Sequence, residues 1–118
     1  MRLKMVSCGV TVGGVLALGA GPVAAQAYVG TWATSPVQCQ IDQSRQNAPL
    51  VIKPRRYDRH ETHCVFTSWR KSGAATWRMR ARCTVEGRRQ THTFSLAVEG
   101  PALTMRDRYG SQKLIRCT

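Results

Sequence analysis

Between Trp77 and Val85 every odd position is apolar and every even position is Arg or Thr. Trp77, Met79, Ala81, Cys83 and Val85 alternate with Arg78, Arg80, Arg82 and Thr84. A period of two residues belongs to a strand with one face buried and the other wet. Glu86-Gly87 then supplies a two-residue hairpin turn. If Val85 pairs with Arg88, Ala81 faces His92, Met79 faces Phe94 and Trp77 faces Leu96. The apolar faces then coincide, as register demands, and Arg80 and Arg82 lie outside opposite Thr93 and Thr91.

The rest of the chain reads in the same idiom. Residues 28–33 form a first short strand. Residues 34–48 are polar and read as a loop, or a weak strand around Cys39-Gln40-Ile41. Leu50-Val51-Ile52 is a short strand between Pro49 and Pro54, and residues 64–70 are another, ended by Ser72-Gly73. After Glu99-Gly100-Pro101 turns the chain, Leu103 and Met105 continue the inner face while Arg106 and Arg108 point out. Gly110-Ser111 makes the last turn; with Tyr109 opposite Lys113, Ile115 and Cys117 point inward. The expected fold is all-β: an antiparallel meander of seven or eight strands, closed as a small barrel or strongly curled sheet. Closure also removes exposed strand edges.

Arg2 and Lys4 precede an uncharged apolar stretch over residues 5–20, Gly21-Pro22 break it, and Val23-Ala24-Ala25-Gln26-Ala27 offers small residues where a signal peptidase reads. Residues 1–27 are therefore expected to be a cleavable secretory signal of bacterial type. The first expected cut follows Ala27 and the second follows Ala25. A single domain over residues 28–118 would be released to the periplasm or the medium, with no membrane span left. Cys8 leaves with the signal, so Cys39, Cys64, Cys83 and Cys117 remain. An even count in a short exported domain argues for two disulfides, and a core this small needs such staples. Spacing alone leaves all three pairings open. With no Cys-x-x-Cys pair, a zinc site is poorly supported.

Gly30-Thr31-Trp32 looks like the Gly-x-Trp opening of lipocalin-like barrels. With Cys39 and Ile41 following, the segment resembles the opening of small periplasmic inhibitors of bacterial metalloproteases, which are single-disulfide antiparallel barrels. The resemblance implies Cys39 bonded to Cys64, which leaves Cys83 with Cys117. It implies that Trp32 is a barrel plug or core aromatic, and that the chain inhibits a secreted protease or other hydrolase.

The chain carries 18 Lys and Arg against 6 Asp and Glu, a formal charge of +12. Loss of Arg2 and Lys4 leaves +10, and thirteen of the remaining sixteen cations are Arg. The planar guanidinium fork suits carboxylate and phosphate. Arg78, Arg80 and Arg82 line one outer face, Arg88 and Arg89 extend it past the turn, and Arg106 and Arg108 follow on a later strand. Lys53, Arg55, Arg56 and Arg59 form a second cluster. The expected partner is an anionic envelope component, such as lipopolysaccharide phosphate or an acidic glycan, or an acidic protein. Nucleic acid is not expected, given the compartment and aromatics committed to the core.

Catalysis finds no support. No carboxylate pair is placed for acid–base work, no serine lies in a Gly-x-Ser-x-Gly context, and oxidised cysteines are not nucleophiles. No cofactor is implied. Residues 58–64 hold His60 and His63, which makes a metal-binding module the remaining alternative; the plainer reading is a solvated loop leading into a strand. In a single strand Asp58, His60 and Thr62 would share a face and His63 would point away. His92, opposite Ala81, reads as a rim or core histidine.

Overall fold

The Trp77–Val85 alternation forms a strand in the register read from it. Val85 pairs with Arg88, Ala81 with His92, Met79 with Phe94 and Trp77 with Leu96. Glu86 and Gly87 both take positive φ, 50° and 86°, the backbone of a mirror-image hairpin turn whose twist matches its strands. A computed structural model describes residues 26–118. The reading of residues 1–27 as a signal falls almost wholly outside that range.

Eight strands close into an antiparallel barrel in simple sequence order. They are β1 (Gly30–Ala33), β2 (Leu50–Lys53), β3 (Arg56–Arg59), β4 (Thr62–Lys71), β5 (Thr76–Val85), β6 (Arg88–Glu99), β7 (Ala102–Asp107) and β8 (Gly110–Arg116). The expected all-β, disulfide-stapled barrel is the observed architecture. Alternation fills its interior with Ile52, Tyr57, Phe66, Met79, Phe94, Leu96, Leu103 and Leu114, all buried. The segment around Cys39 is a short 3-10 helix, Val37–Gln40, rather than a weak strand.

Three expectations are corrected. The loop expected before Cys64 is instead strand β3 and the β3–β4 turn, because Tyr57 is apolar enough to take an inward position opposite Cys64 and Ile52. The last turn is Arg108-Tyr109 rather than Gly110-Ser111. There Asp107 Oδ1 accepts from Tyr109 N at 2.8 Å, a side-chain closure that makes Asp107 the turn initiator. Asp107 therefore pairs with Gly110, so Leu114 points inward and Ile115 faces out.

The third correction concerns the disulfides. Cys39 bonds Cys117 and Cys64 bonds Cys83, in place of Cys39 with Cys64 and Cys83 with Cys117. Cys64 and Cys83 are direct cross-strand partners of β4 and β5. They meet only because the register shifts by one residue between Phe66 and Ser68, where β4 bulges. Cys39 follows β1 and Cys117 follows β8, and these two strands are neighbours at barrel closure.

That closure is short. Strands β1 and β8 share two residue pairs, Trp32 with Arg116 and Ala33 with Ile115. Three further ties reinforce it. Cys117 N donates to Thr31 O at 2.8 Å. The Arg116 guanidinium lies 4.2 Å above the Trp32 ring and donates to Val29 O at 3.0 Å and Ala27 O at 2.7 Å. The fully buried Trp32 donates from Nε1 to Tyr28 O at 2.9 Å. Gly30 makes room for this arrangement: a Cβ there would lie 2.5 Å from Arg116 Nη1, and its φ of 151° disfavours any side chain.

The two disulfides close loops of very different size, 78 and 19 residues apart in sequence. Chain-entropy arguments give about 4.5 kcal/mol for the longer and about 3.3 kcal/mol for the shorter. Cys117→Ala should therefore lower the melting temperature more than Cys83→Ala. Cys39→Ala should match Cys117→Ala, and the Cys39→Ala/Cys117→Ala double variant should lose little beyond either single one. Additive losses in that double variant, measured by thermal denaturation, would contradict the pairing.

Candidate functional site

Strand alternation sends Arg78, Arg80 and Arg82 to the outer face of β5, where all three are exposed. Register then decides which charges meet. Arg82 lies opposite Val65 of β4, and Val65 opposite Arg56 of β3. Thr84 lies between His63 of β4 and Arg89 of β6. Arg56, His63, Val65, Thr67, Arg82 and Arg89 consequently surround one open concavity of about 410 Å³ on the outside of the barrel. Two clusters separate in sequence, one near residue 56 and one near residue 82, thus share a site.

One acidic group adjoins this surface. Asp58 accepts from Arg56 at 2.7 and 3.0 Å and lies 2.6 Å from His63 Nδ1. Partial burial pushes the Asp58 carboxyl up, but the hydrogen bonds and charges of Arg56 and His63 outweigh it and hold it below the usual carboxylate range. Asp58 fixes Arg56 and His63 at the rim and leaves Arg82 and Arg89 free of any ion pair among the described residues.

The other candidates disperse. Arg106 continues the outer face from β7 opposite Ser95. Arg108 stacks 5.1 Å from the Tyr109 ring at the last turn, and Arg88 is exposed at the start of β6. Arg55 lies 5.7 Å from the Trp69 ring. Arg59 leaves the expected second cluster altogether, because it shares the inward parity of Tyr57. Trp32 belongs to the closure and not to a surface. His60 sits in the β3–β4 turn at φ 49°, with Gln43 Oε1 accepting from its backbone N–H at 2.8 Å. That turn sets Asp58 and His63 side by side, against their expected opposite faces. Among the described residues no three of His, Cys, Asp and Glu gather as a metal site.

A second polar constellation escaped the sequence reading. His92, on the inner face of β6, joins the Tyr57 hydroxyl at Nδ1 (3.2 Å) and Asp107 Oδ2 at Nε2 (3.1 Å). Burial, chiefly, pushes the Tyr57 hydroxyl up to about 12, so it keeps its proton at neutral pH. The hydrogen bond from His92 and that from the Tyr109 backbone hold the Asp107 carboxyl below its ordinary range. The available signal was the inward parity of Tyr57 once β3 is accepted as a strand.

Both lowered carboxyls carry a pH consequence. A carboxyl whose pKa is depressed by folding stabilises the fold above its unfolded pKa and loses that contribution as pH falls through the folded one. Stability should hold from neutral pH to the ordinary carboxylate range and decline below it. Asp58→Asn should flatten that acid limb in melting curves recorded between about pH 7 and pH 2; an unchanged limb in this variant would contradict the role given to Asp58. Comparison of the chain with protein-family models, with curated proteins and with solved structures finds no significant match.

Proposed function

We propose that this chain is an exported, non-catalytic binding protein whose outer arginine face takes an anionic partner, of the class of phosphorylated or acidic glycans and lipids of the bacterial envelope. The carrying observation is the concavity that gathers Arg56, Arg82, Arg89 and His63, of which only Arg56 and His63 are engaged by the neighbouring Asp58. Exposed guanidinium forks on rigid, paired strands suit phosphate, sulfate or carboxylate groups presented in a row. The flanking Thr67 and Thr84 add hydroxyl groups that serve as donor or acceptor. The net positive field would speed encounter with any polyanion.

Export is part of the same reading. Two disulfides agree with an oxidising compartment, and among the described residues no helix is long and apolar enough to cross a membrane. The packing ahead of β1 favours cleavage after Ala25 over the cut after Ala27. Gln26 O accepts from Val29 N at 3.0 Å, and Ala27 O accepts from Arg116 at 2.7 Å. A cut after Ala27 would remove both acceptors. It would also place a new ammonium on Tyr28, which has no exposed surface, and an unpaired charge there is costly.

Two measurements test this reading. Retention of the full-length mature chain on immobilised lipopolysaccharide should fall steeply with salt, and the Arg82→Ala/Arg89→Ala variant should bind about tenfold or more weakly, as expected for lost charged hydrogen bonds. Equal binding by wild type and variant, or retention indifferent to salt, would reject the arginine site. Intact mass of the exported protein should place its first residue at Gln26, in open or cyclised form; a chain starting at Tyr28 would reject the preferred cut.

A further inference from the structure

Connections in an antiparallel meander alternate between the two ends of its barrel, so the β3–β4, β5–β6 and β7–β8 turns lie together. The opposite end is filled where Tyr28 packs edge-on against Trp77 at 5.1 Å and Trp32 sits beneath Arg116. The end carrying the three turns instead holds a cavity of about 360 Å³ that opens between them. A volume of this order falls in the range of small-molecule sites.

The lining divides in two. Leu50, Val85 and Met105 make an apolar wall, while the Tyr57–His92–Asp107 chain and Arg59 make a polar one. Within the polar wall the hydrogen-bonding needs are unequal. Asp107 is engaged by His92 and by the Tyr109 backbone, so it does not neutralise Arg59. Among the described residues Arg59 makes no ion pair, and its Nε is enclosed without a hydrogen-bond partner. Desolvation lowers its pKa from the ordinary guanidinium value, yet arginine stays charged. A desolvated cation with an unsatisfied donor is costly unless something anionic meets it. The Arg59 side chain lines the cavity, where an anion from outside the chain would offset that cost.

We propose that this mouth is a second binding site, separate from the outer arginine face, for a small carboxylate with an apolar body. The carboxylate meets the fork of Arg59, and the apolar body lies along Leu50, Val85 and Met105. A single fork matches the two oxygens of one carboxylate, whereas a phosphate dianion would call for further cationic groups that this wall lacks. The hydroxyl-to-imidazole-to-carboxylate chain fixes the rest of the polar wall and keeps Asp107 from competing with the ligand. Arg59 projects inward and Arg56, Arg82 and Arg89 outward, so the two sites are separable by mutation.

The test uses octanoate as probe, with 1-octanol and octylamine as controls, added to the full mature chain and followed by nitrogen–proton NMR and calorimetry. Octanoate should bind with a dissociation constant of about 1 mM or tighter, the affinity open to a ligand of this size. It should shift the Arg59 Nε–H and the amides of Tyr57, Val85 and Met105, and both controls should bind at least about tenfold more weakly. Arg59→Gln should abolish the preference for octanoate over octanol without lowering the melting temperature, and Arg82→Ala/Arg89→Ala should leave it intact. Met105→Trp, which fills the apolar side, should weaken octanoate and octanol alike. The proposal is overturned if octanoate fails to bind at about 10 mM, if it shifts only outer arginines, or if Arg59→Gln binds it as wild type does.

Discussion

The Arg116 guanidinium over Trp32 is the contact on which the closed form of this protein rests. Strands β4 to β7 are joined by long ladders that each hairpin could form from local sequence, but β1 meets β8 over only two residue pairs. A cation held flat against indole contributes up to about 2 kcal/mol when desolvated. Here the same guanidinium also satisfies two carbonyls of the chain ahead of β1. One side chain thus joins the last strand, the first strand and the segment before it. The Cys39–Cys117 bond ties the same two ends covalently. Gly30 is explained by this contact, since any side chain there would strike Arg116.

Closure determines what the arginines can do. In a flat sheet, alternation gives two equivalent faces; in a closed barrel it gives an inside and an outside with different chemistry. Arg56 and Arg59 show the difference within one strand. Arg56 faces out, is exposed at 44% and pairs with Asp58. Arg59, three residues on, faces in and is left with a buried donor. The high positive charge therefore divides by place. Most of it is a solvated outer field with a local concavity, Arg116 is held in the seam against Trp32, and Arg59 is a desolvated cation at the barrel mouth.

The fold class was legible because its signal is local. The β5–β6 register follows from nine alternating residues and a two-residue turn, and it holds residue for residue. What could not be read depends on irregularity or on distance. The β4 bulge shifts Cys64 by one position, and without it Cys64 would stand opposite Thr84 and not Cys83. The Asp107 side chain moves the last turn by two residues and exchanges the fates of Leu114 and Ile115. The outer concavity was half legible: Arg82 was named from alternation, Arg89 from the hairpin and Arg56 from a second charge cluster, but the meeting of Arg56 with Arg82 needs β3 as a strand. The mouth was illegible for the same reason, since Tyr57, His92 and Asp107 come from three strands spread over fifty residues.

A sheet of strong hairpins closed by one short seam should open at that seam first. Native-state hydrogen exchange measures this directly, amide by amide. Ladder amides of β1 and β8, such as Ile115 and Trp32, should exchange through a sub-global opening of lower free energy than those of β5 and β6. Arg116→Lys should lower protection in β1 and β8 while β5 and β6 keep theirs. Equal protection across all eight strands, with Arg116→Lys affecting every strand alike, would contradict the claim that Arg116 and Trp32 hold a distinct seam.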